Sequence, residues 1–199
     1  MEKYTEFIDN IVSRYKHLGS NKLVNGTELI GHVPHIAPQA HLHILFCPLN
    51  NEEIEQMTNM LGLKILPSNL IEFYSKFNGI SLFSDSINIY GLRNNFNRGI
   101  EDVWQPFSIL TPNKLERIKD SKKEYLYIGG YRYDGSKIYL DTISNKVYRC
   151  SRESSKPLNT WENFGIMLLS ESKRIDLLFD ENGRKLNPRI PTTPLENNA

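Results

Sequence analysis

Across Asn78-Gly79 the hydrophobic period of this 199-residue chain changes from that of a helix to that of a strand. Ahead of the change, Leu70, Phe73, Tyr74 and Phe77 recur at i, i+3, i+4 and i+7, one apolar stripe of an amphipathic helix. Pro67 supplies the start, since the amide it lacks would have been unpaired there, and Asn78-Gly79 supplies a left-handed stop. Beyond it Leu82, Ile87 and Ile89 alternate with polar residues and lead into Tyr90-Gly91-Leu92. A chain that runs an amphipathic helix into alternating strands has to bury the helical stripe on a sheet face.

The flanking sequence extends this pattern. Tyr4, Phe7, Ile8, Ile11, Tyr15 and Leu18 predict a first helix, with Gly19 as its stop. Residues 20–40 read as a connecting stretch with one short strand, and His41–Phe46 as an extended run closed by Pro48. A second helix is expected from Asn50 or Asn51, with Glu52, Glu53 and Glu55 at its positive end and Gly62 at its stop. Residues 93–112 are loop-like, with Trp104 and Phe107 expected to pin the loop to the core. Tyr125–Ile128, Lys137–Thr142 and Lys146–Cys150 predict an antiparallel meander turning at Asp134-Gly135 and Ser144-Asn145. Thr160 is expected to cap a last helix bearing Trp161, Phe164, Leu168, Ile175 and Leu178, ended by Asn182-Gly183. The tail from Asn187 carries three prolines and is expected to be loosely held. The fold class is α+β, an antiparallel sheet with helices packed at both ends of the chain.

Charge and motifs narrow the function. The 24 Lys and Arg against 23 Asp and Glu give a net charge of +1. The balance is local too, with 8 basic and 9 acidic side chains in residues 1–100. Binding to nucleic acid through phosphate neutralisation needs clustered cations, so no direct nucleic-acid binding is expected. No apolar run approaches the ~20 residues of a membrane helix, the first residues show no secretory pattern, and Cys47 and Cys150 read as reduced thiols. These features together point to the cytoplasm. Phosphate-cradling glycine loops, a nucleophile elbow and paired metal-ligand motifs do not occur, and no cofactor is expected.

His32, His35, His41 and His43 fall within twelve residues and could build a small metalloprotein. No carboxylate or thiolate lies inside that window, so the favoured expectation is no metal, with the strand's polar face turned outward. Asp134, Gly135 and Asp141 are explained as turn residues, Asp141 by bonding the amides of the next turn. Tyr125, Tyr127, Tyr131, Tyr133, Tyr139 and Tyr148 fit a sheet with one buried and one exposed face, and core packing is the expected use for most of them.

The ordered succession of these signals resembles the Smi1/Knr4 family of the SUKH superfamily. The resemblance is carried by Leu66-Pro67, the helix with Phe73 and Tyr74, Asn78-Gly79, Leu82-Phe83 and Ile89-Tyr90-Gly91. Further on it is carried by Ile128-Gly129, Asp134-Gly135, Asp141, Val147 and the Trp161/Phe164 helix. It covers about residues 48–179 of a single domain spanning 1–199, leaving a helical extension over 1–45 and the tail over 187–199. The resemblance implies an α+β fold without catalytic machinery and a non-enzymatic bacterial immunity protein that binds a cognate toxin, often a nuclease. An intracellular regulatory module of the same fold is the alternative. Pro67, Asn78, Gly79, Gly91, Asp134, Gly135 and Asp141 would then be scaffold. Partner contacts are expected from Arg93, Asn95, Phe96, Arg98 and Trp104, on a loop free to vary beside that scaffold. Inhibitors of nucleases tend to be acidic. A net charge of +1 therefore requires a local acidic cluster or a toxin of another kind.

Overall fold

The computed structural model describes residues 3–94 and 104–196. Among them nine strands form one antiparallel sheet in which each strand pairs with its neighbours in the sequence. The strands are β1 (Ser20–Lys22), β2 (Glu28–His32), β3 (His41–Leu45), β4 (Ile80–Leu82) and β5 (Ile87–Ile89). They continue through β6 (Tyr125–Tyr131), β7 (Lys137–Asp141), β8 (Val147–Cys150) and β9 (Pro157–Trp161). Helix α1 (Lys3–Tyr15) precedes the sheet, α2 (Asn51–Leu61) and α3 (Ser68–Tyr74) connect β3 to β4, and α4 (Phe164–Asp176) follows β9.

Local chemistry explains the helices. Asn50 and Glu53 form a reciprocal cap at α2, each side chain accepting from the other's backbone amide at 2.9 Å. Gly62 closes α2 in the left-handed conformation. Leu70, Phe73 and Tyr74 of α3 are fully buried, Phe73 edge-on to both Tyr74 and Phe164. Ile8, Ile11 and Tyr15 of α1 are buried as well, and Arg14 clamps the Asp176 carboxylate of α4. All four helices and Ile87 and Ile89 of β5 share one core, whereas Ile118, Tyr127, Tyr139 and Cys150 form a smaller cluster. Asn88 lies between Ile87 and Ile89 and so faces away from the main core.

Several expectations need correction. Residues 20–40, expected to be a connector with one short strand, contribute two strands, β1 and β2, continuous with β3 in the expected His41–Phe46 run and with the rest of the sheet. Thr160 and Trp161 belong to β9 instead of the last helix, whose cap is Asn163, accepting from Ile166 at 2.9 Å. That helix ends at Asp176, and Gly183 lies in a later turn closed by the Phe179–Lys185 bridge. Phe107, expected to pin its loop, is 55% exposed.

The described part of the tail, expected to be loosely held, is docked. Thr192 and Thr193 are buried, and the carbonyls of Thr192, Pro194 and Leu195 accept from Arg174, Arg149 and Asn159. Arg149, 4% exposed, also binds Asp134 at 2.6 Å, Ser136 at 2.9 Å and Asn159 at 3.0 Å. A buried guanidinium is tolerable only when its donors are satisfied, and the tail supplies one of those acceptors. Prolines in the tail conceal this, because docking rests on backbone carbonyls, which every residue type carries.

Phe73→Ala should reduce unfolding free energy by about 3–5 kcal/mol, as expected for a fully buried ring, measured by denaturant melts. A loss below about 1 kcal/mol would place the helical stripe outside the load of the core.

Candidate partner-binding surface

Two buried asparagines act as substitute strand partners and set the geometry of the loops. The Asn78 amide nitrogen donates to the Leu92 carbonyl at 2.7 Å, and its oxygen accepts from the Leu92 amide at 2.7 Å. Asn113 does the same for Tyr127, donating at 2.8 Å and accepting at 2.9 Å. A primary amide presents the same donor–acceptor pair as a peptide group, so each closes a gap in backbone pairing.

Around Asn78 the chain approaches itself closely. A Cβ on Gly91 would overlap the Asn78 carbonyl oxygen, and one on Gly79 would come within 2.6 Å of the Ile89 carbonyl. Gly79 also holds φ at +85°, the left-handed region that favours glycine. The Tyr74 hydroxyl donates to the Tyr90 carbonyl at 2.9 Å, tying α3 to the same strand end. The paired glycines thus serve close contact, and Asn78, expected only as a helix stop, is the fastener.

This clasp fixes where the 93–106 loop leaves the fold. Gly91 pairs in parallel with Ser108, its amide donating to Phe107 and its carbonyl accepting from Ile109, both at 2.9 Å. The Asn94 amide donates to the Gln105 side chain at 3.1 Å. Of the expected contact residues, Arg93 and Trp104 are described, both partly exposed, and Asn95, Phe96 and Arg98 lie outside the described residues. Trp104 lines a groove of about 310 Å³ with Cys47, Asn78, Asn94 and Gln105. Its ring meets His41 edge-on at 5.8 Å.

The structure separates the histidines. His32 and His41 stand across the β2–β3 pair with rings 5.4 Å apart, His35 is exposed, and His43 is fully buried between Tyr15 and Phe83. Among the described residues no group of three His, Cys, Asp or Glu is arranged to hold a metal ion. The polar, outward face expected for this strand is wrong at His43, whose ring serves as packing. Burial pushes the His43 imidazole down to about 3, so it is neutral at physiological pH. Nothing in the local sequence marks it, because its surroundings come from α1 and β4.

The turn residues behave as expected and do more. Asp141 accepts from the amides of Ile143 at 2.9 Å and Ser144 at 3.3 Å. Asp134 accepts from the Ser136 amide at 2.9 Å. Burial acts to raise the Asp134 carboxyl, but hydrogen bonds from Ser136 and Arg149 outweigh it and hold the group below the usual carboxylate value. Tyr139 stacks between Tyr125 at 4.3 Å and Tyr148 at 5.1 Å, with Tyr127 edge-on at 5.7 Å. Tyr127, Tyr131 and Tyr139 are buried, Tyr125 and Tyr148 half-buried, and Tyr133 exposed. Tyr125, Tyr127, Tyr139 and Tyr148 form a satellite core with an open margin, and Tyr131 joins the main core.

The nine-stranded antiparallel sheet, with its four helices packed into one core, is an α+β fold. The SMI1 / KNR4 family (SUKH-1) model matches residues 48–170, more than half of the chain, and the protein belongs to that family. No curated protein matches the chain. No helix of the described residues is long and apolar enough to cross a membrane.

His43 gives a test of the packed strand. Its folded-state value lies below the ordinary 6.5, so its contribution is fully present above about pH 6.5 and is lost as pH falls toward 3. Between pH 7 and 5 this should cost about 2 kcal/mol, at about 1.4 kcal/mol per pH unit. His43→Leu should remove that component of the slope in urea melts. An unchanged slope would mean that His43 takes up a proton inside the fold.

Proposed function

We propose that this chain is a non-enzymatic, cytoplasmic immunity protein that binds a cognate protein toxin and neutralises it by occlusion. SUKH domains are protein-binding modules, which supports a protein partner. The observation that carries the proposal is the fastening of the 93–106 loop at both ends, through Asn78–Leu92 on one side and the Gly91–Ser108 pairing on the other. A loop held this way can change its sequence without disturbing the sheet, which is what discrimination among related partners requires.

In this proposal Arg93, Asn95, Phe96, Arg98 and Trp104 contact the toxin, since arginine and aromatic side chains supply most interface energy. Pro67, Asn78, Gly79, Gly91, Asp134, Gly135 and Asp141 hold the scaffold. Without a catalytic step, protection depends on the amount of immunity protein relative to toxin and on affinity.

Co-expression with a candidate toxin from a neighbouring gene tests the proposal. Wild type should form a complex and protect only near equimolar levels. At matched folded levels, Arg93→Ala, Phe96→Ala and Arg98→Ala should each weaken the complex, with at least one losing more than about tenfold in affinity, as a hot-spot residue would. Unimpaired protection by all three would move the interface elsewhere. Protection far below equimolar amounts would exclude occlusion.

A further inference from the structure

The sheet face turned away from the helices carries a second cavity, of about 490 Å³, lined by Asp85, Asn88, Tyr90, Phe107, Gly130 and Arg132 among others. We propose that it is an anchor pocket for an aromatic side chain bearing a hydrogen-bond donor, a tryptophan or tyrosine of the protein partner. The proposal rests on the protein-binding function above and adds the chemistry of one contact.

A strand glycine in the wall lets Tyr90 pack close against the sheet beside the cavity. Asn88 and Gly130 are cross-strand partners, so they share a face, and Gly130 contributes no side chain to it. A Cβ there would come within 2.6 Å of the Tyr90 hydroxyl and 2.8 Å of the Ser136 carbonyl. Gly135, at φ +69°, also lines the cavity, and a Cβ there would come within 2.7 Å of the Arg152 side chain.

The floor holds an unmet demand. Asn88 is 6% exposed, and its Oδ1 has no hydrogen-bond partner. Its amide nitrogen donates to the Asp85 carbonyl at 3.0 Å. Because that carbonyl can only accept, the facing atom is the nitrogen, and the orphan is the oxygen. A buried acceptor left unpaired is costly, and a guest that brings a donor to it removes the cost. The terminal torsion of asparagine is broad, so a small tilt presents Oδ1 to a donor at the cavity floor.

The walls select for an aromatic, uncharged guest. Phe107 is 55% exposed at the rim, and its ring meets Tyr90 edge-on at 6.4 Å. Asp85 and Arg132 form an ion pair at 2.8 Å, so the rim is neutral and gives a charged guest no net attraction. The Arg132 side chain, 72% exposed, can lie over the face of an aromatic guest. Asp85 itself is held by Ser81 at 2.6 Å, on a turn where Phe83, Ser84 and Asp85 all adopt positive φ. Tryptophan and tyrosine combine ring and donor, and they are the residue types that anchor interfaces.

Amide-resolved NMR titration of the full chain provides the test, with N-acetyl-tryptophanamide, N-acetyl-tyrosinamide, N-acetyl-phenylalaninamide and N-acetyl-argininamide as probes. The tryptophan and tyrosine probes should shift the Gly130 and Gly135 amides and the Asn88 side-chain amide in a saturable way. The phenylalanine probe should bind about fivefold to tenfold more weakly, having no donor for Oδ1. Asn88→Ala should remove the difference between tyrosine and phenylalanine probes, and Phe107→Ala, at an exposed position, should weaken both at unchanged melting temperature. Absence of saturable shifts, equal binding of the phenylalanine probe, or tightest binding of the arginine probe would each overturn the proposal. Such a failure leaves the toxin complex to be judged by co-expression, and failure of that complex leaves the titration unaffected.

Discussion

The double hydrogen bond between the Asn78 side chain and the Leu92 backbone joins the helical layer to the sheet at the point where the chain leaves it. Asn78 follows α3 and Leu92 follows β5, so the side chain bridges the period change on which the fold turns. Two glycines make the contact possible, Gly79 by its left-handed backbone and Gly91 by leaving room for the Asn78 carbonyl. The Tyr74–Tyr90 bond repeats the tie one turn earlier. Everything beyond Leu92 departs from a position set by these contacts.

Polar groups close the other seam as well. Arg149 and Arg174, satisfied by Asp134, Glu171, Asn159 and tail carbonyls, sew the C-terminal segment to the sheet and to α4. Glu171, itself 3% exposed, also accepts from Tyr131 at 2.7 Å. Such networks are worth keeping only when nearly complete, because a buried charge losing its partner costs several times what the pair contributes. Against this background the Asn88 oxygen is one of four buried side-chain polar atoms without a partner among the described residues, with His43 Nε2, Ser84 Oγ and Ser172 Oγ.

What the sequence discloses follows the range of each interaction. The α2 cap, the α3 stripe, the Asp141 turn and the β6–β8 meander depend on residues a few positions apart, and all are legible. Strands β1 and β2 are short and poorly alternating. Their pairing partners lie across turns, so they read as connector. At Thr160 a capping residue type sits inside an edge strand, where pairing with Tyr148 overrides local preference. His43 and the docked tail depend on groups brought from far along the chain. The candidate surface divides likewise. Arg93 and Trp104 stand out by residue type, whereas the second cavity is hinted at only by two consecutive glycines, Gly129-Gly130, inside a strand.

Native-state hydrogen exchange on Asn78→Ala tests most directly the claim that the asparagine clasp governs the loop. The account predicts that the Gly91, Leu92 and Ile109 amides lose most of their protection while those of β6–β8 keep theirs, a local opening instead of global unfolding. Unchanged protection at Leu92 and Ile109 would contradict it, showing that the loop is held without the clasp.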